Sequence, residues 1–301
     1  MQNIILLLLC LIAGVLLRRS GRVPENAHLA LNGFIIHVAL PALVLTHIHN
    51  IHINSELLYS VAMPWLLFLM GATLFSATAR YLSFTRQTTG ALMLTGGLGN
   101  TSFIGLPMIE AFYGKDGLAI GVLVDQLGTY LVLGTLGIMI ASICSNGTAD
   151  ARTVLRRIVT FPPLIALLLA VPLIDVAYPD WLKAALGRLG DTLAPLALVS
   201  VGLQLRLDAL RTNGRALALG VGFKLLIGPA LLVLLYSRVT GVSEVDMQVT
   251  LLESAMAPQI GAAIVANQYG LNPPLVTLMV GVGTVLALAT VPAWWAILSL
   301  L

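Results

Sequence analysis

Thr95-Gly-Gly-Leu-Gly-Asn-Thr-Ser-Phe-Ile-Gly-Leu-Pro107 lies in the middle of an apolar segment long enough to cross a bilayer. The stretch holds four glycines, a proline and a run of Asn-Thr-Ser. Glycine and proline weaken or break a helix. A break at membrane depth frees N–H and C=O groups that lipid cannot satisfy. It must therefore be buried in protein or line a wet cavity. A second stretch of this kind lies in the other half of the chain: Glu253-Ser-Ala-Met-Ala-Pro258-Gln259-Ile-Gly261. Interrupted spans at matching positions of two halves point to a binding site.

The rest of the chain supports a membrane setting. Of 301 residues, 58% are hydrophobic and 10% charged, against about 25% charged in a soluble domain. The formal charge is +3, and the basic residues sit in short loops, so nucleic acid is not an expected partner. Cys10 and Cys144 imply no disulfide or metal framework. Met1–Leu17 has no basic residue ahead of its apolar run, while Arg18, Arg19 and Arg22 follow it. That order is the reverse of a secretory signal and predicts an uncleaved first span.

Apolar runs of about 20 residues read as spanning helices. Ten are expected, at roughly 2–17, 28–47, 56–79, 88–112, 118–143, 158–177, 182–205, 214–237, 247–268 and 273–299. Short connectors such as Ser20-Gly21, Asn146-Gly147, Asn213-Gly214 and Asn272-Pro273-Pro274 carry turn chemistry. Loops after spans 1, 3, 5 and 7 hold 11 arginines, whereas the opposite side holds only Lys115, Lys183 and Arg238. The positive-inside rule then places both termini outside the cytoplasm.

The halves repeat. Gly128-Thr-Tyr-Leu-Val-Leu-Gly-Thr135 matches Gly283-Thr-Val-Leu-Ala-Leu-Ala-Thr290 at an offset of 155. Ile104-Gly105 and Tyr113-Gly114 match Ile260-Gly261 and Tyr269-Gly270 at 156, and Gly33 and Pro41 match Gly187 and Pro195 at 154. The expected fold is all-α: a first five-helix repeat over 1–144, a short cytoplasmic loop over 145–157, and a second repeat over 158–301. An odd number of spans inverts the second copy, so broken spans 4 and 9 are equivalent and can cross.

These features resemble the auxin efflux carrier family. The resemblance covers essentially the whole chain. It rests on Gly99-Asn-Thr-Ser-Phe-Ile-Gly-Leu-Pro107, the Ala257-Pro258 break, Ala266-Asn-Gln-Tyr-Gly270 and the closing Thr284–Trp294. It implies kinship with the bile acid–sodium symporters. It also implies a scaffold from spans 1, 2, 6 and 7 beside a transport unit containing spans 4 and 9. Members move small organic anions, including auxin and dicarboxylates such as malate and malonate. The short Ser145–Arg157 segment fits a bacterial inner-membrane carrier.

Several residues carry candidate chemistry. Asn100, Thr101, Ser102, Phe103, Gly105 and Pro107 surround the first break, and Pro258 and Gln259 the second. Helix halves starting there present free N–H groups and a positive dipole end, which suit a carboxylate. The plainer alternative is a kink whose polar groups only satisfy the freed backbone. Glu253 is an acid inside a span, which is costly and usually functional. Glu253-Ser-Ala-Met256 resembles the sodium-ligating segment of bile acid symporters, but Ala257-Pro258 stands where they place a glutamine ligand. A proton role or a structural pair are the other readings of Glu253. Asp125 and Lys224 are intramembrane and of opposite charge, either an ion pair or a coupling group. Arg188 and Asp191 can pair on one helix face. His47, His49 and His52 read as a polar loop, and Trp294-Trp295 as an interfacial anchor.

The expectation is a secondary carrier moving an organic anion by alternating access, coupled to sodium, protons or the membrane potential, with no cofactor. Its partners are the anion and the bilayer, with a homodimer as candidate assembly. An anion channel or a non-transporting sensor is the alternative class. No Gly-x-Ser-x-Gly, His-Glu-x-x-His or nucleotide motif suggests an enzyme. Topology is testable by labelling single cysteines, in a chain lacking Cys10 and Cys144. A cysteine at Ser55 should react from outside and one at Asn272 only from the cytoplasm. Reversed or equal access overturns the map.

Overall fold

Every peptide unit carries a donor and an acceptor, and a long apolar chain in lipid can pair them only within itself. Among the described residues every regular element is accordingly a helix. The computed structural model describes residues 2–48, 58–145, 152, 155–156, 159–173, 176–204, 210–238 and 244–300. His49, His52, Ser55, Arg206 and most of the expected 145–157 loop lie outside the described residues, as does the side chain of His47.

Among the described residues six helices are long and apolar enough to cross a membrane: Ala27–Thr46, Leu58–Tyr81, Val124–Cys144, Asp180–Leu203, Leu210–Tyr236 and Pro273–Leu298. They fall in the runs read as spans 2, 3, 5, 7, 8 and 10. The run at 88–112 instead forms Arg86–Gly97 and, after an interruption, a π turn Thr101–Gly105 leading into Leu106–Leu123. The run at 247–268 forms Glu244–Ser254 and Ile260–Gln268. Each of these two runs is split by its break into shorter helices.

The chain divides into two compact units that cut across the sequence halves. The first takes Met1–His52 and Ala149–Leu205, the second Ile53–Thr148 and Arg206–Leu301. In the first unit, Gln2–Ser20 lies along Leu193–Gln204. Glycine sets their separation: the Cα of Gly202 would stand 2.9 Å from a Cβ added at Gly14, and the reverse distance is 2.8 Å. Small residues let helix backbones meet where lipid offers no hydrophobic drive between helices. Asn32 and Ser200 join neighbouring helices through a buried 2.6 Å hydrogen bond. Arg188 and Asp191 are both exposed and form no ion pair. An exposed pair of this kind gains little.

The second unit is organised around three fully buried aromatic rings. Phe75 meets Phe223 edge-on at 5.3 Å, and Phe68 is buried as completely. Gly96 and Gly97 do not break the helix. They stay helical, and an added Cβ would stand 2.8 Å from Phe75 at Gly96 and 3.0 Å from Phe68 at Gly97. Their role is room for rings. The closing tryptophans also turn inward. Trp294 donates from Nε1 to the carbonyl of Leu225 at 2.8 Å, and Trp295 stacks on Phe112 at 4.8 Å. The Leu225 carbonyl would normally bond the N–H four residues on, but that residue is Pro229.

Gly14→Val and Gly202→Val should each wedge the two helices apart at a cost of about 1–3 kcal/mol. Thermal unfolding in detergent should show lower midpoints for both. An unchanged midpoint would mean the contact is not held in solution.

Candidate functional site

The site begins with a backbone problem at Pro258. Proline lacks an N–H and pushes the residue before it out of the helical region. The Glu244–Ser254 helix therefore ends in tight turns, Ala255 N–H to Leu252 O and Met256 N–H to Glu253 O. The chain then runs extended until Ile260. On the other segment Leu98 is extended and Gly99 follows. The two extended pieces pair as an antiparallel bridge between Gly99 and Pro258. Asn100 N–H donates to Ala257 O at 2.7 Å, and Gln259 N–H donates to Leu98 O at 3.1 Å. Each interruption satisfies backbone groups freed by the other.

Four helix ends converge there. The helices restarting after Asn100 and after Gln259 bring their N-terminal ends, which carry partial positive charge. Arg86–Gly97 and Glu244–Ser254 bring their C-terminal, partly negative ends. The buried charges match this pattern. Asp125 accepts hydrogen bonds from Thr101 Oγ1 and Ser102 Oγ, both at 2.5 Å, in the first turn after Asn100. Gln126 Nε2 donates to its second oxygen at 2.7 Å. Lys224 Nζ donates to the carbonyl of Ser254 at 2.5 Å, at the end of its helix. An anion thus sits at one N-terminus and a cation at one C-terminus.

Both charged residues stand on π turns, Val124–Thr129 and Phe223–Ile227. The extra residue of a π turn re-aims side chains, and such turns recur at functional sites. Glycines clear the space. A Cβ at Gly99 would lie 3.2 Å from Lys224 Nζ, and one at Gly105 would collide with the Glu253 carboxyl group. One at Gly121 would lie 3.1 Å from Glu253 Oε1. Pro258 packs against Gly283, where a Cβ would lie 2.5 Å from Pro258 Cδ.

The structure brings Asn100, Thr101, Ser102, Gly105, Pro258, Gln259, Glu253, Asp125 and Lys224 into one buried region. Phe103 and Pro107 are placed there by backbone alone, because their side chains lie outside the described residues. The hydroxyls of Thr101 and Ser102 are committed to Asp125. The charged neighbour of Lys224 is Glu253, whose carboxyl group also feels Asp125. Sequence reasoning missed Tyr130, buried within hydrogen-bonding reach of Ser102. It also missed Gly99, Gly121 and Gly283 as makers of space. Tyr130 and Gly283 lie in or beside the quoted repeat motifs, the one signal that marked them.

A chain whose described elements are all helices, six of them this apolar and two interrupted runs bonded at their breaks, is a multi-pass membrane protein. It belongs to the membrane transport protein family, which its residues 1–295 match; this is the auxin efflux carrier family to which its motifs pointed. The chain is similar to an uncharacterized transporter of Methanothermobacter thermautotrophicus, 29% identical over 305 residues, covering 99% of this chain and 98% of the relative. It is also similar to an uncharacterized transporter of Methanocaldococcus jannaschii, 25% identical over 314 residues and 99% of each chain.

Hydrogen bonds to a charged group contribute about 1.5–3 kcal/mol each. Thr101→Val and Ser102→Ala each remove one donor to Asp125, so each should lower the unfolding midpoint in detergent. Asp125→Ala strands three donors and should cost at least as much. A wild-type midpoint in all three variants would show that the network does not form.

Proposed function

We propose that this protein is a secondary active transporter that moves a small organic anion, a dicarboxylate or auxin-like acid, by alternating access. In this reading ten spans form two inverted five-helix repeats over 1–144 and 158–301, joined by the 145–157 loop. Both termini lie outside the cytoplasm in a bacterial inner membrane, and two copies form a dimer. The anion is coupled to a proton or sodium ion and needs no cofactor.

The observation that supports this best is the convergence of two helix N-termini at the Gly99–Pro258 bridge. Asp125 balances the N-terminus after Asn100. At the second N-terminus the side chain of Gln259 is buried. The first N–H groups of Ile260–Gln268 have no partner within their helix. A carboxylate would be met there by these N–H groups and by the Gln259 and Asn100 amides. Thr101 and Ser102 would act through Asp125, and Ile104 and Ile260 would pack the organic body. Amide donors also let the anion leave again, as a carrier requires, more readily than a buried arginine would.

Proteoliposome uptake of radiolabelled carboxylates, malonate and malate among them, tests the reading. At least one should be accumulated. Asn100→Ala and Gln259→Ala should each weaken its binding by roughly 10- to 150-fold, the equivalent of losing one hydrogen bond to a charged group. Wild-type affinity in both variants moves the site elsewhere and reduces the crossing to a hinge.

A further inference from the structure

Glu253 is fully buried, and neither carboxyl oxygen receives a hydrogen bond among the described residues. Its surroundings explain why. The carboxyl group lies against the backbone of Gly105 and Gly121, with Leu106 Cδ2 beside Gly121. Two charged groups face it, Asp125 and Lys224. The helices packed on its own, Leu58–Tyr81, Gly228–Tyr236 and Pro273–Leu298, present it no further acid or base among the described residues. Glu110 on Leu106–Leu123 is exposed. Lys224 commits a proton to the Ser254 carbonyl and makes no direct ion pair with Glu253. An ionised carboxylate without donors in such a place is very costly, and the group is far cheaper with a proton on it.

Close backbone also leaves a metal ion little room. Hard cations take several oxygen ligands at once. Against Gly105 and Gly121 the carboxyl oxygens leave no room even for a methyl group, and so none for an ion on those two sides. A proton needs one oxygen and no such room.

We propose that Glu253 is the proton-binding group of this carrier and that the coupling ion is a proton rather than sodium. The inference rests on the anion-carrier reading above and names its coupling ion. With Asp125 and Lys224 charged, an ionised Glu253 gives the cluster a net charge of −1, which opposes an incoming anion. Protonation brings the cluster to zero and leaves the second helix N-terminus free to attract it. One proton bound at Glu253 thus accompanies each anion and is released with it.

Infrared spectroscopy of the purified protein tests Glu253 without any substrate. A protonated buried carboxyl group has its own C=O stretch. Wild type should show that band near neutral pH, and Glu253→Gln should lose it. Gly121→Ala keeps the carboxyl group but presses a methyl on Oε1, so it should shift the band; this variant decides the matter if Glu253→Gln does not fold. Sodium chloride should leave the band unmoved relative to potassium chloride. The proposal is overturned if neither variant alters a carboxyl band between about pH 5 and pH 9. It is equally overturned if sodium removes the band. The uptake assay decides anion transport separately, so the two readings can fail independently.

Discussion

Two backbone hydrogen bonds, Asn100 to Ala257 and Gln259 to Leu98, hold the constraint on which the rest of the second unit depends. In an apolar surrounding an unpaired peptide group is expensive, so an interrupted helix needs protein or water to answer the freed backbone, and here the other interruption answers it. Pairing fixes the register of the two segments. That register decides which helix ends converge and hence where partial charges lie. Asp125 at an N-terminus and Lys224 at a C-terminus follow from it, each opposite in sign to the dipole end it meets.

Absent side chains shape the region as much as present ones. Gly99 leaves room for the Lys224 ammonium, while Gly105 and Gly121 leave room for the Glu253 carboxyl group. Gly283 receives the ring of Pro258. A methyl at any of these positions would reach atoms of a charged group or of the proline that causes the break. The packing around the site therefore belongs to its electrostatics, because distance sets how strongly the three ionisable groups act on each other.

Hydrogen-bond accounting links distant parts of the unit. Pro229 cannot bond Leu225, so Trp294 does. This draws the end of Pro273–Leu298 onto the π turn that carries Lys224. The Ser60–Thr250 bond, 2.7 Å between hydroxyls, ties Leu58–Tyr81 to the helix that carries Glu253.

The sequence by itself determined that the chain is helical and lies in a membrane, where its two breaks fall, and which residues deserve attention. Length of apolar run, proline chemistry and local glycine content are properties of adjacent residues, so they can be read along a line. The family was legible for the same reason, in Gly99–Pro107 and Ala257-Pro258. Partners were not. Asp125 finds its donors 23 and 24 residues back, and Lys224 finds Ser254 30 residues on. Which neighbour each charge would choose depends on π turns that shift a helix face by one residue, a change no residue pattern announced. Gly96 and Gly97 looked like breakers until Phe75 and Phe68 occupied the space beside them. Trp294 looked like an interfacial anchor until a proline elsewhere left a carbonyl to satisfy. Such assignments belong to the tertiary structure, because a hydrogen bond or a void is decided by what arrives from the other side.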